Sequence, residues 1–161
     1  MSPNPSASGV VAALTERGQT LATAESLTGG LIGAAITSVP GASAIYLGGV
    51  ISYATTMKAV LAGVPGAVLR THGPVAAETA VALAVGVRER TGADWALAAT
   101  GVAGPDPQDG HAPGEVWLGL AAPDGAAIGR RLDCAGARED VRAATVIAAL
   151  ELLLQELQLE A

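Results

Sequence analysis

Short apolar runs, too brief to be helices, alternate along this chain with longer stretches of helical periodicity. That alternation constrains the fold more than any other feature. Residues 21–24 (Leu-Ala-Thr-Ala) and 95–100 read as strands buried on both faces, and residues 45–53 are rich in strand formers. Helical patterns cover residues 10–17, 31–38, 55–61, 75–90 and 138–157, with Gly18, Pro40-Gly41, Gly63 and Gly92 as stops. Residues 71–74 read as a loop. Residues 116–122 and 126–132, joined by Pro123-Asp124-Gly125, read as a hairpin. The expected order is α-β-α-β-α-α-β-β-β-α. It implies an α/β protein with a mixed sheet covered by helices on both faces.

The chain of 161 residues is the size of one domain. Residues 1–8, rich in Ser, Pro and Asn, read as a flexible tail, and residues 158–161 as a frayed end. A single domain is expected over residues 9–161. Half of the chain is hydrophobic and only 15% is charged, which excludes intrinsic disorder. No apolar stretch reaches the ~20 residues of a membrane span, and the first residues show no basic and then apolar leader. One cysteine, Cys134, fits a reducing compartment, so the expectation is a cytoplasmic protein. A net charge of −6 without a basic stripe argues against direct nucleic-acid binding.

Of the nine cationic residues only Lys58 is a lysine. Coding bias toward Arg and Ala explains why lysines are few. It does not explain why one is kept, and Lys, unlike Arg, can lose its proton when buried. Ser26 lies where a buried strand gives way to a helix, the place where α/β sheets gather their ligands. The Gly29-Gly30 pair behind it can bring backbone amides close to a developing negative charge. The alternative is an ordinary helix cap followed by a flexible turn. A serine hydroxyl needs a base at neutral pH. His72 and His111 both fall in loops, with no acid partner fixed by the sequence. A buried Lys58 could serve instead, with Tyr53 relaying or orienting the proton. The plain alternative makes Lys58 a solvated helix residue and Tyr53 a surface aromatic.

Two further segments bear on a ligand. Residues 100–106 (Thr-Gly-Val-Ala-Gly-Pro-Asp) form a glycine-rich loop after a strand, but match neither a Walker loop nor a dinucleotide fingerprint. Arg138 and Arg142 share one face at the start of the last helix, where a phosphate fits as well as pairing with Glu139 or Asp140. Nothing has the spacing of a metal site.

Taken in order, residues 24–30 (Ala-Glu-Ser-Leu-Thr-Gly-Gly), 53–58 with 61–64, 100–106, 114–117 (Gly-Glu-Val-Trp) and 136–142 resemble the C-terminal domain family of the competence/damage-inducible CinA proteins. The stand-alone form of that family is nicotinamide-nucleotide amidase. The resemblance covers nearly the whole chain. It implies a three-layer α/β/α sandwich with a mixed, mostly parallel five-stranded sheet that includes the C-terminal hairpin. It also implies hydrolysis of nicotinamide mononucleotide to nicotinic acid mononucleotide and ammonia, through an acyl-enzyme and without metal or cofactor. Ser26 would be the nucleophile, Lys58 the general base and Tyr53 its partner in proton transfer. Thr28, Gly29 and Gly30 would meet the substrate and its oxyanion, and Ser43, Thr100 and Gly101 would line the pocket. Arg138, with Arg142, would face the phosphate. Leu27, Thr55, Pro107 and Ala112 depart from the family's commonest residues, and Ala112 removes a cation near the pocket.

The alternative reading is a nucleotide-binding or protein-interaction module without amidase activity, linked to DNA damage or competence. The expected partner is the small-molecule substrate, with no nucleic acid and no membrane. The apolar helix over residues 75–87 leaves a homo-oligomer open.

Overall fold

The computed structural model describes residues 2–160; Met1 and Ala161, placed above in the tail and the frayed end, lie outside the described residues. The chain runs α1 (Pro5–Arg17), β1 (Leu21–Glu25), α2 (Leu31–Thr37), a 3-10 turn (Ala42–Ala44), β2 (Tyr46–Ile51), α3 (Thr55–Ala62), α4 (Gly66–His72), α5 (Ala77–Thr91), β3 (Trp95–Gly101), β4 (Glu115–Ala121), β5 (Ala127–Asp133) and α6 (Arg138–Leu159). The five strands form one sheet in the order β2-β1-β3-β4-β5. β2, β1 and β3 pair in parallel, and β4 and β5 add antiparallel, so the sheet is mixed, with β4 alone running against the other four strands.

The two faces of the sheet differ in side-chain size. Leu21, Trp95, Leu97, Val116, Leu118 and Leu120 lie under α1, α2 and α6. The other face is paved with Ala22, Ala24, Ala96, Ala98 and Ala121, and meets Leu83, Ala84 and Val87 of α5 and Ala62 of α3. Small residues let α5 sit almost on the strands. A Cβ added at Gly119 would lie 2.0 Å from the Ala80 carbonyl, and one at Gly86 1.7 Å from that of Ala62. The apolar face of α5 therefore packs inside the molecule and supplies no argument for an oligomer.

Three expectations need correction. The tail over residues 1–8 is in part the first turn of α1: Asn4 caps it through the amides of Ser6 and Ala7, Pro5 opens it, and Ala7 is fully buried. The loop over residues 71–74 begins inside α4, a seven-residue helix between Pro65 and Gly73 that buries no residue fully and so carries no periodic signal. The frayed end is helical to Leu159. Among the described residues no helix is long and apolar enough to cross a membrane.

Candidate active site

Three parallel strands end side by side at one pole of the sheet. β1 runs into Ser26, β2 into Ser52, and β3 ends on Thr100 and Gly101. The Ser26 amide donates to the Ala99 carbonyl at 3.0 Å, and the Ser52 amide to that of Glu25 at 2.8 Å, which fixes the three strand ends to one another. α3 starts just past Ser52 and carries Lys58 back beneath this end. There Lys58 is 1% exposed, and its Nζ lies 3.0 Å from Ser26 Oγ. The same nitrogen donates to the backbone carbonyls of Ser52, at 2.7 Å, and Tyr53, at 3.3 Å. No carboxylate pairs with it among the described residues. Burial accordingly lowers its pKa from 10.5 to about 8.

As an ammonium, Lys58 has three N–H groups for three acceptors, the two carbonyls and Ser26 Oγ. Once one proton is lost, the carbonyls hold the remaining two N–H groups and the lone pair faces the Ser26 hydroxyl. This is the activated arrangement a serine nucleophile needs.

Ser26 faces a cleft of about 310 Å³. Leu27, Pro74, Val75 and Val102 give it apolar walls, and Tyr53 and Arg138 stand at its rim. Thr100 belongs to the wall, with its hydroxyl donating to the Pro74 carbonyl at 2.6 Å. Gly101 also lines it; a Cβ there would lie 2.6 Å from the Glu115 carbonyl. Arg138 donates through Nη1 to the Gly104 carbonyl at 2.7 Å and through Nη2 to the Tyr53 hydroxyl at 3.2 Å. The Tyr53 hydroxyl thus meets Arg138, and only the Tyr53 carbonyl reaches Lys58.

The remaining sequence-derived residues fall differently. Arg142, one turn along α6 from Arg138, does not line the cleft. Its Nε donates to the Leu27 carbonyl at 3.0 Å and its Nη2 to that of Thr28 at 3.4 Å. Pairing with Glu139 or Asp140 does not occur either; Asp140 accepts the Ala137 amide and caps α6. Gly29 donates its amide to the Ser26 carbonyl, and Gly30 to the Glu25 carboxylate, so neither is free for a ligand. Thr28 is fully buried, and its side chain does not line the cleft. Ser43 sits in the 3-10 turn before β2, at the opposite pole of the parallel strands, and lines a separate depression beside Pro40.

Sequence reasoning passed over Glu25. It is 2% exposed and accepts the amides of Gly30 (3.2 Å), Ile32 (2.8 Å) and Gly33 (3.0 Å). It therefore neutralises the start of α2, which holds the far end of the Ser26 loop. The usable signal was its position, a carboxylate just before a turn that opens a helix. Both histidines find acids: His72 closes α4 with Nδ1 3.5 Å from Glu78, and His111 lies 2.8 Å from Glu115. The second pair ties the loop over residues 102–114 back to β4. Burial alone would raise the Glu115 carboxyl, but hydrogen bonds from His111 and Trp117 outweigh it and hold the carboxyl below its ordinary range. No group of three or more His, Cys, Asp or Glu among the described residues could hold a metal.

A three-layer α/β/α protein with a serine and a buried lysine joined at its strand ends is the class that fold and site define. The CinA C-terminal domain family matches residues 4–157, and the chain belongs to that family. It is 47% identical over 144 residues to a CinA-like protein of Frankia casuarinae, covering 89% of this chain and 33% of that protein. It is 46% identical over 137 residues to a putative competence-damage inducible protein of Halalkalibacterium halodurans, covering 85% and 33%. The chain thus spans about a third of the length of these relatives. Among solved structures, the competence/damage inducible protein CihA from Agrobacterium tumefaciens superposes with a TM-score of 0.90 at 35% identity, over 96% of this chain and 98% of that one. A CinA superfamily protein from Klebsiella pneumoniae does so with a TM-score of 0.93 at 31% identity, over 98% and 99%.

Proposed function

We propose that this domain hydrolyses the carboxamide of nicotinamide mononucleotide, giving nicotinic acid mononucleotide and ammonia. The observation that carries the reading is the buried Lys58 amine 3.0 Å from the Ser26 hydroxyl, with its other contacts made to carbonyls. Ser26 Oγ bonds to the carboxamide carbon while its proton passes to Lys58 Nζ. The C–N bond then breaks, the leaving nitrogen takes that proton, and ammonia departs. Water next attacks the Ser26 ester, gives a proton to Lys58, and the C–Oγ bond breaks as Ser26 recovers it. Arg138, exposed at the rim, has N–H groups left over for a phosphate.

The test is ammonia release from nicotinamide mononucleotide by the purified protein, beside Ser26→Ala. Release by the first and none by the second supports the amidase. No release by a folded wild type removes it.

One observation favours a second reading, in which a nucleotide is held and not cleaved. The Tyr53 hydroxyl is engaged by Arg138 and does not contact the Ser26–Lys58 pair. Saturable calorimetric binding of the mononucleotide without ammonia would support that reading.

A further inference from the structure

The turn that follows Ser26 has two backbone amides with no acceptor among the described residues, those of Leu27 and Thr28, in residues only 4% and 0% exposed. Every other amide between Ser26 and Gly33 whose bond lies outside the helix ladder is taken. Ser26 donates to Ala99, Gly29 to Ser26, Gly30 to Glu25, Leu31 to Thr28, and Ile32 and Gly33 to Glu25. Buried amides without acceptors are rare and costly, and two in succession ask for a reason.

The carbonyls at the other ends of the same peptide planes are both held. In a trans peptide C=O and N–H point in opposite directions, so fixing one aims the other. The plane joining Ser26 to Leu27 is fixed by the Gly29 amide on the Ser26 carbonyl. The plane joining Leu27 to Thr28 is fixed by Arg142 Nε on the Leu27 carbonyl at 3.0 Å, and Arg142 Nη2 holds the next carbonyl, that of Thr28. We propose that Arg142 is a positioning residue: from α6 it orients the Leu27–Thr28 peptide so that the two free amides form the oxyanion hole beside Ser26. This rests on the acyl-transfer reading above. In that step the Ser26 Oγ–carbon bond forms, the carbonyl π pair moves onto oxygen, and the two amides meet the negative charge there. Arg142 acts through the backbone and never touches the substrate phosphate, in contrast with Arg138.

The test compares Arg142→Gln and Arg142→Lys with wild type on nicotinamide mononucleotide and on nicotinamide riboside, which lacks the phosphate. It also follows the rate at which a fluorophosphonate labels Ser26, read by mass spectrometry. Folding is verified by circular dichroism at the assay temperature, and Arg142→Lys carries the test if the glutamine variant does not fold. The expected result is a kcat lower by about 100-fold in Arg142→Gln. KM should stay within about twofold, the loss should be equal for both substrates, and Ser26 labelling should slow in parallel. Arg142→Lys, which keeps one donor, should recover part of each. A raised KM confined to the mononucleotide, with kcat and labelling unchanged, would place Arg142 on the phosphate and overturn the proposal. Labelling that depends on Arg142 in a protein that releases no ammonia would keep the oxyanion hole and remove the substrate reading. A Ser26 that the reagent does not label in wild type would remove both.

Discussion

Lys58 Nζ stands 3.0 Å from Ser26 Oγ across 32 positions of sequence, and no other cation among the described residues comes within hydrogen-bonding distance of that hydroxyl. The charge of Lys58 therefore decides when the pair can react. Below a pH of about 8 the amine holds its proton and cannot accept another. We expect kcat/KM to rise about tenfold per pH unit up to that point and to level above it, measured between pH 6 and 9.5. Lys58→Arg keeps the charge and cannot deprotonate, so its activity should fall by about 1000-fold on the alkaline plateau and lose the rise with pH. An unshifted, flat profile would remove Lys58 as the base.

The same shift makes stability depend on pH. Below about 8 folded and unfolded chains both carry the Lys58 proton; between about 8 and 10.5 only the unfolded chain does. Stability relative to a chain lacking this amine should therefore grow with pH through that window, by at most about 3 kcal/mol. Denaturant titrations at pH 7.5 and 9.5, on wild type and Lys58→Met, measure it. The wild type should gain more than the variant.

Tyr53→Phe separates two roles of one residue. The substitution keeps the carbonyl that Lys58 touches and removes the hydroxyl that Arg138 touches. Turnover should fall by about tenfold or less, against the far larger loss in Lys58→Arg. A loss as large as that of Lys58→Arg would mean that the hydroxyl swings inward during reaction.

Glu25→Gln keeps one acceptor oxygen but turns a nitrogen toward an amide that now donates to a carboxylate. The expected cost is about 2 kcal/mol, since hydrogen bonds to charged groups are the stronger ones. A midpoint in urea within error of wild type would show that α2 does not depend on this carboxylate.

Gly119→Ala tests the close seat of α5. The added methyl would meet the Ala80 carbonyl at 2.0 Å, and Gly119 has no left-handed backbone to complicate the reading. Overpacking of this kind costs about 2–3 kcal/mol. Thermal unfolding of the two proteins at equal concentration measures it.

The strands and most helices were legible from how their apolar residues are spaced: β1, buried at every position, opens as one short apolar run, while the helices repeat at helical period. α4 was not, since a seven-residue helix that buries none of its residues fully leaves no pattern. The start of α1 was misread because Ser, Pro and Asn are tail-like in composition but, as Asn4-Pro5, are a cap and a first turn. At the site, Ser26 and Lys58 were legible from a strand end and a lone lysine. Arg142 was placed on the correct face of α6, yet one turn decides whether a guanidinium reaches the cleft or a carbonyl behind it. Ser43 was carried by resemblance alone, and the direction of β2 sets it at the wrong pole. Glu25 acts on amides up to eight residues ahead, a relation that only the turn itself reveals.

The turn between β4 and β5 lies beyond Ala121, which pairs with Ala96 at the start of β3, whereas the candidate site lies past the other end of that strand. Roughly 20 Å of sheet separates the two. Arg88 anchors the turn through the Pro123 carbonyl at 3.0 Å and leaves Asp124 and Gly125 exposed. A dye, a surface tether or an inserted peptide placed between those two residues would therefore report on or immobilise the molecule with its cleft pointing away from the attachment.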